Sequence, residues 1–331
     1  MGIIINASHS KYQELKQKLD NNINNHSPLH TESALDWYRQ RPMDEGKSTN
    51  DCSFILVLGV EPVLGFQGVK IIDNKTSMLC YEIPCITIEN KNLLTSKACK
   101  TFIKEFEKII TDVNGFISYR DFLIDGDLST LSKHLLKKGA NTTPFFTRAI
   151  DLSNDESLLK SSIRKSYKSL VNWGTRELDI SVCDYSNINW NHINAFSQLH
   201  TRVSGHKSRS EDSWRRQFDM VQAGDAFIVL GLLKDELVSA GFFMVSKTNC
   251  YYGSSASRRD LFEKPLFHGL IWTAVLHAKK LGCHWFDMGE QLFPNHPISK
   301  LPTKKELDIS GFKAGFGGET RVFLDFNLDC Y

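Results

Sequence analysis

Apolar residues along the chain are grouped in short runs that are separated by polar turns. The run FILVLGVEPVLGFQGVKI begins at Phe54, and the run FIVLGLLKDELVSAGFFMV begins at Phe227. In both runs, two segments rich in Val, Ile, Leu and Phe flank a short turn that contains charged residues or proline. Because such segments are typical of buried strands, we expect a β-hairpin at each position.

The elements that follow each hairpin are predicted in the same order. A further strand is expected at MLCYEIPCITI in the first copy and at CYYGSSAS in the second. An amphipathic helix follows at about 95–111 and at about 265–281, and a strand then begins at Gly115 and at His284. Four elements in a shared order indicate an internal duplication, although single matches of this kind also arise by chance in α/β proteins.

This duplication predicts the fold class and the domain organisation. We expect an α/β (α+β) protein with two tandem domains, 1–147 and 148–331, each of which is a mixed β-sheet flanked by helices. The last strand, at about 319–331, could pack back on the first domain.

A helix with aligned basic residues is predicted between the two copies, at DLSNDESLLKSSIRKSYKSLVNWG. Ser153 is expected to begin it as part of a capping box, and Gly174 is expected to end it. Lys160, Arg164 and Lys168 follow one another at i+4 and would share one helix face. Such a stripe is either a solvated face or a phosphate-binding surface, and the sequence leaves both interpretations open.

Composition excludes several classes of protein. With 41% hydrophobic and 24% charged residues, the 331-residue chain is typical of a globular protein. Its formal net charge of +2 gives no whole-protein attraction to DNA or to an acidic membrane, and no apolar run reaches the roughly 18 residues that span a bilayer. Eight cysteines without a CxxC pair indicate reduced thiols and a cytoplasmic location. A metal site is not expected, because His200, His206, Cys283 and His284 lack the helical spacing of metal ligands.

A glycine-rich segment near the C-terminus contains one lysine. The stretch DISGFKAGFGGETRVF, residues 308–323, holds Lys313 among four glycines. Glycines at such density mark an unusual backbone path or a close approach to another group. A phosphate loop, a tight turn and a catalytic lysine would each give such a segment. A dinucleotide-binding loop is excluded, because GFGG does not follow a strand and open a helix.

Polar residues are also predicted where strands of the second copy end. Asp287 and Glu290 lie at the C-terminal end of a predicted central strand, where open α/β sheets commonly bind ligands. They are either a turn aspartate and a surface glutamate or the groups that orient and deprotonate an amine. Tyr252, Ser254 and Ser255 end the neighbouring strand, and the tyrosine either packs in the core or lines the site.

A polar, basic segment at 199–214 is predicted to be a loop over the cleft. Its basic side chains, Arg202, His206, Lys207 and Arg209, are either solvated or able to hold a phosphate group. A nucleophilic serine triad is not expected, because the chain has no GxSxG elbow.

In this order, the segments resemble the FemAB-like acyltransferases, which have tandem GNAT-like domains. The resemblance rests on LLKSSIRKSYKSLVNWG, YYGSSAS, the helix ending AKKLGCHWFDMG, and GFKAGFGG, within residues 148–323. It implies a reaction in which an amine attacks the acyl carbonyl of an ester or thioester. It also implies that Lys313, preceded by Phe312 and followed by Phe316, stabilises the oxyanion, while Gly315 and its neighbouring glycines let the backbone approach the substrate.

The resemblance further implies an N-acyltransferase of cell-envelope and polysaccharide biosynthesis with no permanently bound cofactor. The acceptor would be an amino group on a sugar or peptidoglycan-type precursor, linked to a nucleotide or a lipid. The chain has no room before Phe227 for the long helical arm of many tRNA-dependent members, which favours acyl-CoA as co-substrate. It also lacks the Gln/Arg-x-x-Gly-x-Gly/Ala pyrophosphate loop, which favours aminoacyl-tRNA. An aminoacyl-tRNA-dependent ligase and a non-catalytic GNAT-fold binding module remain alternatives, and the oligomeric state stays open.

Overall fold

The structure of the chain, a computed structural model, describes residues 2–21, 27–73, 76–79, 83–123, 126–295 and 301–330. Contacts group the chain into two units. The first unit comprises Met1–Asn25, Arg41–Phe145 and Val322–Tyr331, and the second comprises His26–Gln40 and Phe146–Arg321. Relative to the expected domains, the segment at 26–40 therefore groups with the second unit and the segment at 322–331 groups with the first.

The elements of the described residues follow in chain order. The strands are β1 (Gly2–Asn6), β2 (Ser48–Asp51), β3 (Phe54–Leu58), β4 (Glu61–Gln67), β5 (Val69–Ile72), β6 (Ser77–Leu79), β7 (Ile86–Glu89), β8 (Phe116–Asp121), β9 (Asn141–Asp151), β10 (Asp179–Cys183), β11 (Ala226–Leu233), β12 (Glu236–Val245), β13 (Asn249–Ser257), β14 (Trp285–Glu290) and β15 (Glu319–Asp329). The α-helices are α1 (Tyr12–Asp20), α2 (Glu32–Asp44), α3 (Ser96–Ile110), α4 (Thr130–Lys137), α5 (Glu156–Ser162), α6 (Lys165–Glu177), α7 (Trp190–Ser204), α8 (Glu211–Gln222), α9 (His268–Lys280) and α10 (Lys304–Ala314).

Both predicted hairpins are confirmed. Phe54 begins β3, which pairs with β4, and Phe227 lies in β11, which pairs with β12. Both pairs are antiparallel. The predicted helices are α3 and α9, and the strands predicted after them are β8 and β14. The segment MLCYEIPCITI contributes β6 and β7, and its residues 80–82 lie outside the described part of the chain.

The strands of the first unit fall into two ladders rather than the single expected sheet. One ladder has the order β1-β3-β4-β7, and the other has the order β15-β8-β6-β5-β2. The chain changes from one ladder to the other at Gly68, between β4 and β5, where a Cβ atom would lie 2.7 Å from the ring of Phe66 and 2.8 Å from Cys85 Sγ. Glycine is favoured there because any larger residue would overlap the Phe66 ring and the Cys85 thiol.

The second unit is one mixed sheet with helices on both faces. Its strand order is β10-β11-β12-β13-β14-β9, and only β13 and β14 are parallel among the described pairs. Phe227, Phe243 and Phe286 pack with α6 and α9 on one face. Phe242 and Met244 pack with α7 and α8 on the other. Because successive side chains of each strand face opposite sides of the sheet, this one sheet contributes to two hydrophobic cores.

The basic helix predicted between the copies is two helices. The α5 helix begins after Asp155, whose side chain accepts a hydrogen bond from Leu158 N at 2.7 Å, so the predicted Ser153 capping box is wrong. Extended backbone at Ile163 and Arg164 then separates α5 from α6.

Gly174 does not end its helix, as the sequence had predicted, but lies inside α6. A Cβ on Gly174 would be 2.9 Å from Gly269 Cα, and a Cβ on Gly269 would be 3.0 Å from Gly174 Cα. The two glycines therefore allow α6 and α9 to cross in backbone contact. This contact fixes the N-terminal turn of α9, next to which a cavity opens.

Candidate active site

A fork between two parallel strands forms the centre of the candidate site. Strands β13 and β14 pair only from Asn249 with Trp285 to Tyr251 with Asp287, although β13 continues to Ser257 and β14 to Glu290. Past Tyr251 and Asp287, the facing edges of these strands have no ladder partner within the described residues. An open α/β sheet binds ligands at such an edge, because backbone groups there are available.

A bulge in β14 positions Asp287 at the base of this fork. The register of β14 against β9 shifts between Asp287 and Glu290, and Gly289 has φ +78°. Asp287 accepts hydrogen bonds from Gly289 N, at 2.7 Å, and from the hydroxyl of the buried Thr147. Burial raises the pKa of Asp287, although these hydrogen bonds and the positive charges of Lys313 and Arg321 oppose the rise.

Lys313 reaches the fork from α10 rather than from a glycine-rich loop. On one face of this helix, Ser310 Oγ accepts a hydrogen bond from Leu292 N at 2.9 Å, and Lys313 Nζ donates to the carbonyl of Glu290 at 3.0 Å. Burial lowers the pKa of Lys313, while the carboxylates of Asp287 and Glu290 raise it. The structure therefore brings three residues chosen from the sequence, Lys313, Asp287 and Glu290, to one place.

The glycines that follow Lys313 are explained by packing within the protein. A side chain on Gly315 would overlap the ring of Tyr167. Gly317 (φ +88°) and Gly318 (φ +75°) turn the chain where a side chain would meet Ser162 and the carbonyl of Ala149, respectively. These contacts hold the end of α10 against α5, α6 and β9.

Phe312 and Phe316 belong to an aromatic cluster on the α6 and α9 face of the sheet. The Phe312 ring centroid lies 5.2 Å from those of Phe316 and His268, and Tyr167 packs against all three rings. Burial lowers the pKa of His268 to about 4, which favours its neutral form. Tyr252 packs on this same face, and its hydroxyl lies 2.5 Å from Ser255 Oγ. Burial raises the pKa of Tyr252 to about 12, although the hydrogen bond to Ser255 opposes the rise.

A cavity of about 530 Å3 lies beside this cluster, at the N-terminal end of α9. It is lined by residues 257–259 and 261–268 together with Leu170 and Phe312. Phe262, Phe267 and Phe312 supply an apolar wall. Arg259 and Lys264 supply positive charge, and Glu263 supplies one negative charge. Its volume is within the range of sites that hold small molecules and cofactors.

The basic stripe predicted from the sequence is not assembled as one helix face. Lys160 is exposed on α5, and Arg164 precedes the first turn of α6. Arg164 lies over the Tyr167 ring, at 5.1 Å from its centroid, and Lys168 Nζ donates to the carbonyl of Ser161 at 3.0 Å. Because α5 and α6 are separate helices, the three cations do not share one helix face, and Arg164 and Lys168 contact neighbouring groups of the protein instead.

The predicted loop at 199–214 is confined to residues 205–210, because α7 and α8 occupy its two ends. Arg202 pairs with Glu236 at 3.3 Å, and His206 bonds to the carbonyl of Ser204 at the end of α7. Lys207 is exposed. None of these three contacts the fork through a described hydrogen bond.

Arg209 differs from its neighbours in this loop because it is half-buried. Its guanidinium lies near two indole rings, 5.6 Å from the centroid of Trp37 and 5.1 Å from that of Trp214. One nitrogen is 3.5 Å from Ser254 Oγ, on the part of β13 beyond the fork. Of the two serines predicted as site residues, Ser254 therefore faces Arg209, whereas Ser255 faces Tyr252 and the aromatic cluster.

The described residues contain neither a metal-binding cluster nor a membrane-spanning helix. They contain no group of three or more His, Cys, Asp or Glu side chains arranged to hold a metal ion. None of their helices has the length and apolar character needed to cross a membrane.

Comparison with known proteins identifies the fold. No protein-family model and no curated protein matches the sequence. Among solved structures, FemX is similar with a TM-score of 0.72 and 13% identity, over 100% of this chain and 97% of that chain. The chain has the fold of FemX. The fold expected from the resemblance to FemAB-like proteins, two tandem GNAT-like domains, is thereby confirmed.

Two further structures share this FemX-like fold. One is the C-terminal domain of an Agrobacterium fabrum protein assigned as a lysylphosphatidylglycerol synthetase, with a TM-score of 0.55 and 12% identity, over 95% of this chain and 91% of that chain. The other is a tandem GNAT protein from the clavulanic acid biosynthesis pathway, with a TM-score of 0.53 and 8% identity, over 99% of this chain and 98% of that chain.

Within this FemX-like fold, Tyr251 is the site residue that sequence reasoning missed. The Tyr251 hydroxyl and Lys313 Nζ lie 3.2 and 3.4 Å from the position that a Cβ on Gly289 would occupy. Tyr251 is also the strand partner of Asp287 at the fork. Because successive residues of a strand face opposite sides, placing Tyr252 in the core turns Tyr251 to the other face. The alternation of faces along β13 is therefore the sequence signal that could have identified Tyr251.

Proposed function

We propose that this chain is an N-acyltransferase of the FemAB-like type. It would move an acyl group from a thioester or ester donor to an amino group on a small-molecule acceptor, such as a sugar or peptidoglycan-type precursor of the cell envelope. The observation that carries the proposal is the placement of Lys313 at the fork between β13 and β14, beside Asp287 and Tyr251. The reaction would take place in the cytoplasm.

In the proposed reaction, the acceptor nitrogen attacks the acyl carbonyl carbon. A C–N bond forms, the C–S or C–O bond to the donor breaks, and the leaving group departs with the electron pair of that bond. Negative charge develops on the carbonyl oxygen before this cleavage, and the Lys313 ammonium donates a hydrogen bond to it. A half-buried cation is effective there, because few water molecules screen its charge.

The carboxylates near Lys313 have different roles in this proposal. Asp287, held by Gly289 N and Thr147, keeps Lys313 protonated through its negative charge. Glu290 is exposed, and its side chain is available to accept the proton that the amine loses. The Tyr251 hydroxyl provides a second donor near the reacting carbonyl.

The cavity of about 530 Å3 would hold the donor. Its aromatic wall suits an acyl chain or the apolar part of a carrier, and Arg259 and Lys264 suit the phosphates of a carrier such as CoA. Acyl-CoA is therefore the favoured co-substrate, and no permanently bound cofactor is required.

Aminoacyl-tRNA is the second candidate donor. The segment from Arg258 to His268, which connects β13 to α9, contains no glycine, so its backbone cannot cradle a pyrophosphate as a glycine-rich loop does. In this case, the acyl group would be an aminoacyl ester, and the same amine attack would apply.

Transfer assays with purified protein test the proposal. Acyl-CoA thioesters and aminoacyl-tRNA would each be combined with nucleotide-linked and lipid-linked amino sugars, and products would be identified by mass spectrometry. We expect an amide product with one donor class, and its loss in Lys313→Ala. Tight binding of donors without any product would instead support a non-catalytic binding module. A product formed equally well by Lys313→Ala would refute the role given to the lysine.

A further inference from the structure

The first unit contains a cavity that the proposed acyl transfer does not use. It has a volume of about 700 Å3 and lies between α3, α4 and the segment that follows β7. None of the site residues predicted from the sequence lines it. Concave sites of this size commonly bind small molecules.

Two helices direct paired lysines into this cavity. The α3 helix supplies Lys100 and Lys104, and the α4 helix supplies Lys133 and Lys137. Each pair has i,i+4 spacing, which places both side chains on the same face of the helix. Like charges at this spacing repel each other, so the arrangement is destabilising unless an anion lies between them.

The lysines that line the cavity are not neutralised by the acids on the same helices. No described carboxylate forms an ion pair with the four lysines of α3 and α4 that line the cavity, Lys100, Lys104, Lys133 and Lys137. Instead, Glu105 pairs with Lys108 at 2.6 Å, and Glu107 pairs with Lys138 at 2.7 Å and also bonds to His134, which lines the cavity. Acidic partners are therefore present on α3 but used elsewhere.

The two acids that line the cavity are also engaged. Asp127 is paired with Lys91 at 3.6 Å. Glu89 accepts a hydrogen bond from Thr130 N at 2.6 Å, and burial raises its pKa, although Lys133 offsets part of the rise. Lys91 also lines the cavity, so five lysines and only two acids surround it. Since the whole chain carries a formal net charge of only +2, this is a strong local concentration of positive charge.

The floor of the cavity is apolar. Leu94, Ile103 and Leu128 line it and pack against the hydrophobic core of the first unit. A planar ring could cover this floor while its charged substituent contacts the lysines. A concave site with an apolar floor suits a small molecule better than it suits a membrane surface or the backbone of a large nucleic acid.

We propose that this cavity binds a nucleotide-type ligand, in which a chain of two or more phosphates is attached to a planar base. The phosphates would bind Lys100, Lys104, Lys133 and Lys137, and the base would cover Leu94, Ile103 and Leu128. This site is separate from the reaction proposed for the second unit and does not depend on it.

Calorimetric titration of the full chain with UDP, ADP and pyrophosphate tests this proposal. We expect binding of at least one nucleoside diphosphate with a Kd below about 1 mM, and weaker binding of pyrophosphate, which lacks the base. Lys100→Gln/Lys104→Gln should weaken nucleotide binding by about tenfold and flatten its dependence on salt.

The matched control is Lys97→Gln/Lys108→Gln, which removes the same charge from α3 at positions outside the cavity. It should change the Kd by less than about twofold. Equal weakening in both variants would refute the site, because it would indicate attraction by net charge alone. No detectable binding of UDP or ADP would also overturn the proposal. Circular-dichroism melting without ligand shows whether each variant is folded.

Discussion

Lys313 is the residue on which the proposed chemistry depends most. The carbonyl oxygen gains negative charge in the transition state and has little in the bound substrate, so the ammonium should affect turnover more than affinity. Lys313→Ala is expected to lower kcat by roughly 10²–10³-fold with KM nearly unchanged, as loss of an oxyanion-hole donor does. Steady-state kinetics with the active donor and acceptor measure both constants.

Two further results would separate the roles that Lys313 could have. Lys313→Arg should rescue little activity, because a planar guanidinium cannot replace a compact ammonium that donates to the Glu290 carbonyl. An increase in KM alone for Lys313→Ala would contradict the oxyanion role and make the residue a substrate anchor. Unfolding of that variant would make the lysine part of the fold.

The opposed pKa shifts of Asp287 and Lys313 predict a narrow pH optimum. Burial raises the pKa of Asp287 above its ordinary 3.8 and lowers that of Lys313 below its ordinary 10.5. Activity that requires ionised Asp287 and protonated Lys313 should therefore rise with pH through the first pKa and fall through the second. The two pKa values obtained from a plot of kcat/KM against pH should both lie between the ordinary values of an aspartate and a lysine.

Asp287→Asn provides the control for this profile. The acidic limb should disappear, and the alkaline limb should move to lower pH, because the charge that raises the pKa of Lys313 is lost. An acidic limb that stays in place in Asp287→Asn would assign that limb to another group.

Some residues of the candidate site could be predicted from the sequence. Asp287, Glu290 and Lys313 could be chosen because a strand end and a glycine-rich segment mark them. Tyr251 could not be chosen over Tyr252 by residue type, since only the face of β13 distinguishes them. The stacking of Arg209 on Trp37 depends on residues more than 170 positions apart, which no local pattern reveals.

At the scale of elements, the crossing of α6 and α9 depends on two glycines. Gly174→Ala would place a Cβ 2.9 Å from Gly269 Cα, so we expect a loss of about 1–3 kcal/mol in the free energy of unfolding. Gly311→Ala in α10 is the control, because no atom lies within 4 Å of its added Cβ. Alanine there should be neutral or stabilise by up to about 1 kcal/mol. Chemical denaturation compares the two variants, and equal effects would contradict the close crossing.

Periodicity predicted most elements of the second unit but not how its first helices end. The apolar pattern continues through Ile163, so it gives no sign that the backbone becomes extended at Ile163 and Arg164. The cause is tertiary, because Arg164 N donates to the carbonyl of Gly315 at 2.9 Å instead of to a carbonyl of its own helix. A hydrogen bond to a residue about 150 positions away cannot be read from local spacing.

At the scale of the whole molecule, a segment from the N-terminal half completes the second unit. Trp37 Nε1 donates to Ser213 Oγ at 3.0 Å, and its ring lies 6.0 Å from that of Phe242. Trp37→Ala should therefore lower the stability of this unit by up to about 3 kcal/mol and increase amide exchange in β12 and β13. Hydrogen–deuterium exchange with mass spectrometry resolves these strands from β3 and β4, whose exchange should stay unchanged.

Met43→Ala is the control on the same helix, because Met43 is 50% exposed. Its effect should be within about 0.5 kcal/mol. Faster exchange in β3 and β4 of Trp37→Ala would contradict the grouping of residues 27–40 with the second unit.

The tandem organisation could be predicted because two hairpins, begun by Phe54 and Phe227, repeat in sequence. The grouping of residues 26–40 with the second unit could not be predicted. The α2 helix has mixed polarity and a proline at position 42, so its sequence does not indicate which sheet it packs against. The contacts of Ser33 with Asp225 and of Trp37 with Ser213 decide that grouping.

The chain passes between the two units four times, at 25/26, 40/41, 145/146 and 321/322. No single cut can therefore release either unit intact. A fragment that begins at residue 146 would lack α2 and would carry a strand that belongs to the other core. A truncation at any one of these crossings is therefore expected to leave at least one hydrophobic core incomplete.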